Sequence, residues 1–143
     1  MKLDTESKMS FDRSIGTEER FALRRWFDSL VETQNNHNLE EFGAMLSDAL
    51  VVDGFTDIHL RKESYLDFLK PVVFENKTAA VRYPNIAFSC KDYLYHVRGD
   101  FEIYIDGILS CEGEIEIELV KNDDAYMVAR KTFSPRMMVA FNL

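Results

Sequence analysis

From Thr78 onward the hydrophobic period is two, and it stays two for most of the remaining chain. Before that point the apolar residues recur at helical spacing. A chain that switches once from a helical period to alternation packs its helices against one sheet of consecutive strands. Four strands are predicted, at about 79 to 90, 93 to 105, 108 to 120 and 125 to 134. Asp106-Gly107 is a strong hairpin dipeptide, and Lys121-Asn122-Asp123-Asp124 is a polar turn. Strands joined so tightly run antiparallel. The predicted class is therefore α+β, with three N-terminal helices covering one face of a curved antiparallel sheet.

The helices are legible from their punctuation. Residues 1 to 16 are polar and aperiodic and read as a loose leader to a single domain over 17 to 143. Thr17 can cap a helix whose first turn carries Glu18 and Glu19, acids favoured by the helix dipole. Leu23, Trp26, Phe27, Leu30 and Val31 then mark one buried stripe. The run Asn35, Asn36, His37, Asn38 breaks it, because asparagine tolerates left-handed geometry and bonds to its own backbone. Asn38 restarts a helix as cap, with Glu41 placed for a capping box and Leu39, Phe42, Met45 and Leu46 as the next stripe. Ala49 to Asp53 leans to strand and stops at Gly54. A third helix runs from about Arg61 to Leu69, limited by Pro71.

Composition removes several classes of function. At 143 residues, with 46% apolar and 13% aromatic, the chain supports one core without staples. Seventeen Lys+Arg against 25 Asp+Glu give a net charge of −8, which repels phosphate backbones and anionic lipid, so neither nucleic acid nor a membrane is an expected partner. Apolar runs such as Met137 to Phe141 fall far short of the roughly 20 residues that span a bilayer. With no signal-like stretch and only Cys90 and Cys111, which lack CxxC spacing, a reduced, cytoplasmic protein is expected. The six glycines make no phosphate loop, and no two histidines have metal spacing, so no cofactor or metal is expected. His37 and His59 read as solvent-facing.

Strand parity then nominates pocket residues. With a turn at Asn122-Asp123, or a four-residue turn centred one residue later, Ile115, Ile117 and Leu119 share a face with Tyr126, Val128, Arg130 and Thr132. If that face is concave, Arg130 projects into a cavity and needs a carboxylate or an anionic ligand; the other reading puts it at the rim, paired with a surface acid. A two-residue Asp106-Gly107 turn would bring His96, Arg98, Asp100 and Glu102 onto the aliphatic face. A three-residue loop or a bulge instead brings in Tyr93, Tyr95, Val97, Phe101, Ile103 and Ile105, and this version is the expected one. Glu112, Glu114, Glu116 and Glu118 then line the opposite, solvated face. Asp53 is either a general base with a raised pKa or simply a turn former before Gly54.

The long first helix, the junction "NNHNLEEFGAMLSDALVVDG", the segment "LRKESYLDFL", the strand opening "RYPNIAFS" and the closing hairpin "LVKNDDAYMVARKTFS" together resemble the nuclear transport factor 2-like superfamily. This is the cone-shaped α+β fold of ketosteroid isomerase and the SnoaL-like polyketide cyclases. The likeness covers residues 17 to about 134. It implies a cystatin-like cone holding a small apolar molecule, and a homodimer formed through the sheet. The isomerases' base carboxylate would fall at Gly54, one residue after Asp53, and their oxyanion tyrosine near Leu30, which cannot donate a hydrogen bond.

The expected function is binding of a small, largely apolar molecule, with an anionic group at Arg130. Trp26, Leu30, Phe55, Tyr93, Tyr95, Ile115, Ile117 and Tyr126 form the pocket wall. The alternatives are a cofactor-free isomerase, cyclase or dehydratase with Asp53 as base, and a non-catalytic dimeric interaction module.

Overall fold

The computed structural model describes residues 5–55 and 57–138, so the end of the predicted domain beyond 138 lies outside the described residues. In chain order the elements are β1 (Lys8–Phe11), α1 (Thr17–Asn35), α2 (Leu39–Ala44), β2 (Leu46–Asp53), β3 (Leu60–Arg61) and α3 (Lys62–Leu69). A π-helical turn (Lys70–Phe74) follows, then β4 (Ala80–Arg82), β5 (Asn85–Lys91), β6 (Leu94–Ile105), β7 (Ile108–Asn122) and β8 (Ala125–Met138). The strand order is β1-β5-β6-β7-β8-β2-β3, with β4 also paired to β6.

The meander β5 to β8 is antiparallel, as the tight turns require. The sheet as a whole is mixed, because β1 joins β5 and β2 joins β8 in parallel. The leader is therefore a strand over 8–11 and not a loose segment. Met9 and Phe11 turn toward the core, Phe11 stacks on Phe88 at 4.9 Å, and Arg20 and Arg24 cover the Phe11 ring.

Helix α1 is capped by Gly16, not Thr17, with no side-chain bond, while Asn38 caps α2 by accepting from the Glu41 amide at 3.1 Å. Leu23, Phe27 and Leu30 are fully buried; Phe27 meets Tyr83 and Phe88 edge-on at 5.3 and 5.9 Å. Each such ring contributes about 1.5 to 3 kcal/mol by burial. His37, at φ 58°, is half-buried rather than fully solvent-facing, with its Nδ1 2.8 Å from the Val73 carbonyl.

Of the four register shifts among the described residues, two decide which side chains of the meander face inward. Asp106 and Gly107 do form a two-residue turn, both at positive φ, so Ile105 faces Ile108. Parity changes just beyond it. Ile103 pairs with Cys111 but Tyr104 with Leu109, leaving Ser110 as an extra residue in β7. That bulge buries Tyr95, Val97, Phe101 and Ile103 with Ile115 and Ile117. The second bulge lies in β8. Leu119 pairs with Val128 but Glu118 with Arg130, so Ala129 is extra.

Candidate functional site

The bulge at Ala129 decides which basic side chain turns to the inner face of the sheet. Upstream of it, Tyr126 and Val128 are buried beside Leu119, as the alternation predicts. Downstream the phase slips by one. Arg130 lies on the outer face with 45% of its side chain exposed, and Lys131 and Phe133 turn inward opposite Ile117 and Ile115. Arg130 therefore does not reach the interior. An unbroken ladder through residue 129 would have turned Arg130 inward; the extra residue there turns it out.

Lys131 is fully buried. Its Nζ donates to the Tyr65 hydroxyl of α3 at 3.1 Å and lies over the rings of Phe42, Tyr65 and Phe133 at 5.2, 5.4 and 5.7 Å. Among the described residues no carboxylate pairs with it. Burial in this aromatic surround pushes the Lys131 ammonium down to about 7 and holds the Tyr65 hydroxyl well above its usual range. The result is an amine with a substantial neutral fraction at neutral pH, about half of it, within hydrogen-bond reach of a phenol.

Phenylalanines close this region on one side. Phe55, half-buried, lies 4.1 Å from Phe133 and 5.6 Å from Phe68, with Phe101 edge-on at 6.3 Å. Phe55 can sit there because Gly54, at φ 105°, lets the chain graze β8: a Cβ at Gly54 would lie 1.8 Å from the Phe133 carbonyl oxygen. Asp53, just before it, pairs with His59 and with Arg130 Nη2 at 2.5 Å. These contacts, the His59 hydrogen bond foremost, hold the Asp53 carboxyl below its usual range. The shift is opposite to the one a general base at Asp53 would need. The carboxylate instead ties His59 and Arg130 together at the sheet rim.

A second polar cluster lies where α1 begins. Glu19 Oε2 accepts from the hydroxyls of Tyr95 at 2.7 Å and Tyr126 at 3.1 Å, and Lys121 Nζ lies at 3.4 Å. Burial and the Glu19 carboxylate raise both tyrosines far above the normal phenol value. Trp26 packs edge-on against Tyr126 at 6.3 Å. Leu30, Ile115 and Ile117 belong to the core, whereas Tyr93 is 94% exposed in the β5–β6 turn at φ 65° and lines nothing. Of the nominated residues, then, Tyr95, Tyr126 and Trp26 come together and Phe55 sits apart with Phe133. Arg130 and Tyr93 are outside. Lys131, Tyr65 and Phe42 are the residues that sequence reasoning missed.

A cleft of about 800 Å³ between α1 and the 77–80 segment, lined by Asp28, Asn35 and His37, lies away from this inner face. No helix among the described residues is long and apolar enough to cross a membrane.

Similar architecture occurs in solved structures. A protein of unknown function with a cystatin-like fold from Nostoc punctiforme superposes with TM-score 0.71 at 6% identity, over 88% of this chain and 97% of the other. A nuclear transport factor 2-like protein of unknown function from Pseudomonas putida gives 0.71 at 10% identity, over 90% and 98%. A candidate scytalone dehydratase from Novosphingobium aromaticivorans gives 0.70 at 13%, over 88% and 95%. No protein-family model matches the chain, and no curated protein matches it in sequence. The chain has the nuclear transport factor 2-like, or cystatin-like, fold, and at these identities the likeness is one of fold alone.

Proposed function

We propose that the protein binds a small, largely apolar molecule inside the cone, its one oxygen-bearing head group placed on Lys131 Nζ and the Tyr65 hydroxyl. The observation that carries this reading is a fully buried lysine with no carboxylate beside it among the described residues. A buried amine costs several kcal/mol when charged, and an all-apolar residue of similar length would fill the same space without that cost. A head group that accepts from both Nζ and the phenol offsets the cost when it is bound.

The test is thermal unfolding with octanoate as probe. Octanoate should raise the wild-type midpoint and leave Lys131→Met unchanged. Equal stabilisation of both proteins, or of neither, removes Lys131 from binding.

A second reading, association of two copies through the outer sheet face, is favoured by the charge columns there. Glu112, Glu114, Glu116 and Glu118 of β7 run between His96 and Arg98 of β6 and Arg130 and Arg136 of β8. The β6 row also carries Asp100 and Glu102, so the face mixes both signs, and such a face can oppose itself across a two-fold axis with acid on base. Light scattering of the wild type and of Arg98→Glu tests it.

A further inference from the structure

We infer that Lys131 forms a reversible imine with an aldehyde-bearing apolar molecule, with Tyr65 as the proton donor and acceptor for the step. The inference rests on the proposed interior site and names the chemistry of its ligand. Three observations support it. The Nζ and the Tyr65 oxygen are 3.1 Å apart, close enough to relay a proton without water. Nζ is packed against the rings of Phe42, Tyr65 and Phe133 and has no exposure to solvent, so bulk water, which hydrolyses an imine, is kept from it. No described carboxylate holds Nζ as a salt bridge, so its lone pair is not committed to an ionic partner. Desolvation, which lowers the amine toward about 7, adds to this by keeping much of it in the nucleophilic form.

The step balances without any oxidant or reductant. The neutral Nζ adds its lone pair to the carbonyl carbon while the C=O π pair moves to oxygen, which takes the Tyr65 proton. The phenolate recovers a proton from the nitrogen, giving a carbinolamine and a neutral Tyr65. Expulsion of the hydroxyl, protonated by Tyr65 as it leaves, and loss of the remaining nitrogen proton to the phenolate yield Lys131–N=CH–R and one water. Hydrolysis reverses each transfer. Tyr65 cannot be replaced by phenylalanine without losing the relay, although the ring itself would still fit.

The experiment uses octanal with sodium cyanoborohydride at pH 7 on the intact protein, followed by peptide mapping. An exposed lysine near its ordinary pKa of about 10.4 is neutral in less than about one part in a thousand at this pH. Lys131 should therefore be alkylated at least about tenfold faster than any other lysine. Tyr65→Phe should slow labelling at Lys131 about tenfold and leave surface labelling unchanged. Lys131 left unmodified while surface lysines react overturns the inference, as does a Tyr65→Phe rate equal to wild type. The wild-type map does not depend on whether either variant folds. If octanoate stabilises the protein through Lys131 but octanal leaves that residue untouched, the binding site stands and the covalent step falls. If neither probe engages Lys131, both fall.

Discussion

The two faces of the sheet handle cations in opposite ways. On the outer face Arg98 pairs with Glu116 at 2.7 Å, and Arg136 reaches Glu112 at 2.8 Å and Asp100 at 3.3 Å, all with substantial exposure to water. On the inner face Lys131 has the Tyr65 phenol and two further rings, Phe42 and Phe133, for company. Exposed pairs contribute little individually, because water already screens the charges they join. A buried unpaired amine, by contrast, is expensive in its charged form, so its retention points to a use that packing does not supply. The faces thus separate exposed, ion-paired cations from a buried one that has a phenol as its hydrogen-bond partner.

Lys131→Met should break this contrast most visibly, through the pH dependence of stability. An unfolded lysine titrates near about 10.4, while the folded one titrates at about 7. Between those values the unfolded chain holds more protons than the folded one, so stability rises with pH. Below pH 7 the amine is charged in both states and this contribution is lost. The wild type should gain about 2 kcal/mol between pH 7 and pH 9, and Lys131→Met should be flat by comparison. Above that range the buried Cys111 thiol and the Tyr83 hydroxyl, pushed up to about 11 and about 12, act in the opposite direction in both proteins. Urea unfolding at pH 6, 7, 8 and 9 checks the difference. Parallel curves would mean that Lys131 is not titrating in the buried site.

Much of this architecture could be read from residues. The helical stripe of α1, the Asn38 cap and the Asp106-Gly107 turn carry local signals, and local signals survive folding. The bulge at Ser110 was also recoverable, because without it four charged residues of β6 would face the core. The bulge at Ala129 had a weaker signature. An unbroken ladder hides Val128 and exposes Phe133, and only that misplaced ring hints that the phase slips between them. Alternation alone put Arg130 where Lys131 stands. The parallel partners β1 and β2 were less legible still, since pairing across more than 70 residues leaves no mark in a local pattern.

A mid-sized effect should come from the polar cluster at the start of α1. Tyr95 and Tyr126 are both buried, and each sends its hydroxyl to Glu19. Glu19→Ala leaves two phenols without that acceptor and should cost about 1 to 3 kcal/mol in denaturant unfolding. Glu19→Gln keeps an acceptor oxygen and should recover most of the loss. If alanine and glutamine cost the same, the carboxylate's charge matters and the hydrogen bonds do not.

The smallest effect on stability belongs to the outer face, and there it can be set against association. Arg98→Glu removes one exposed ion pair and puts a like charge opposite Glu116, which should lower unfolding free energy by less than about 1 kcal/mol. Across a two-fold interface the same substitution acts twice, once from each copy, and in a less hydrated setting. Light scattering should then show a larger shift toward monomer than the loss of monomer stability would suggest, and added salt should shrink the gap between variant and wild type. An unchanged mass would leave the outer columns as a solvated surface and confine function to the inner face.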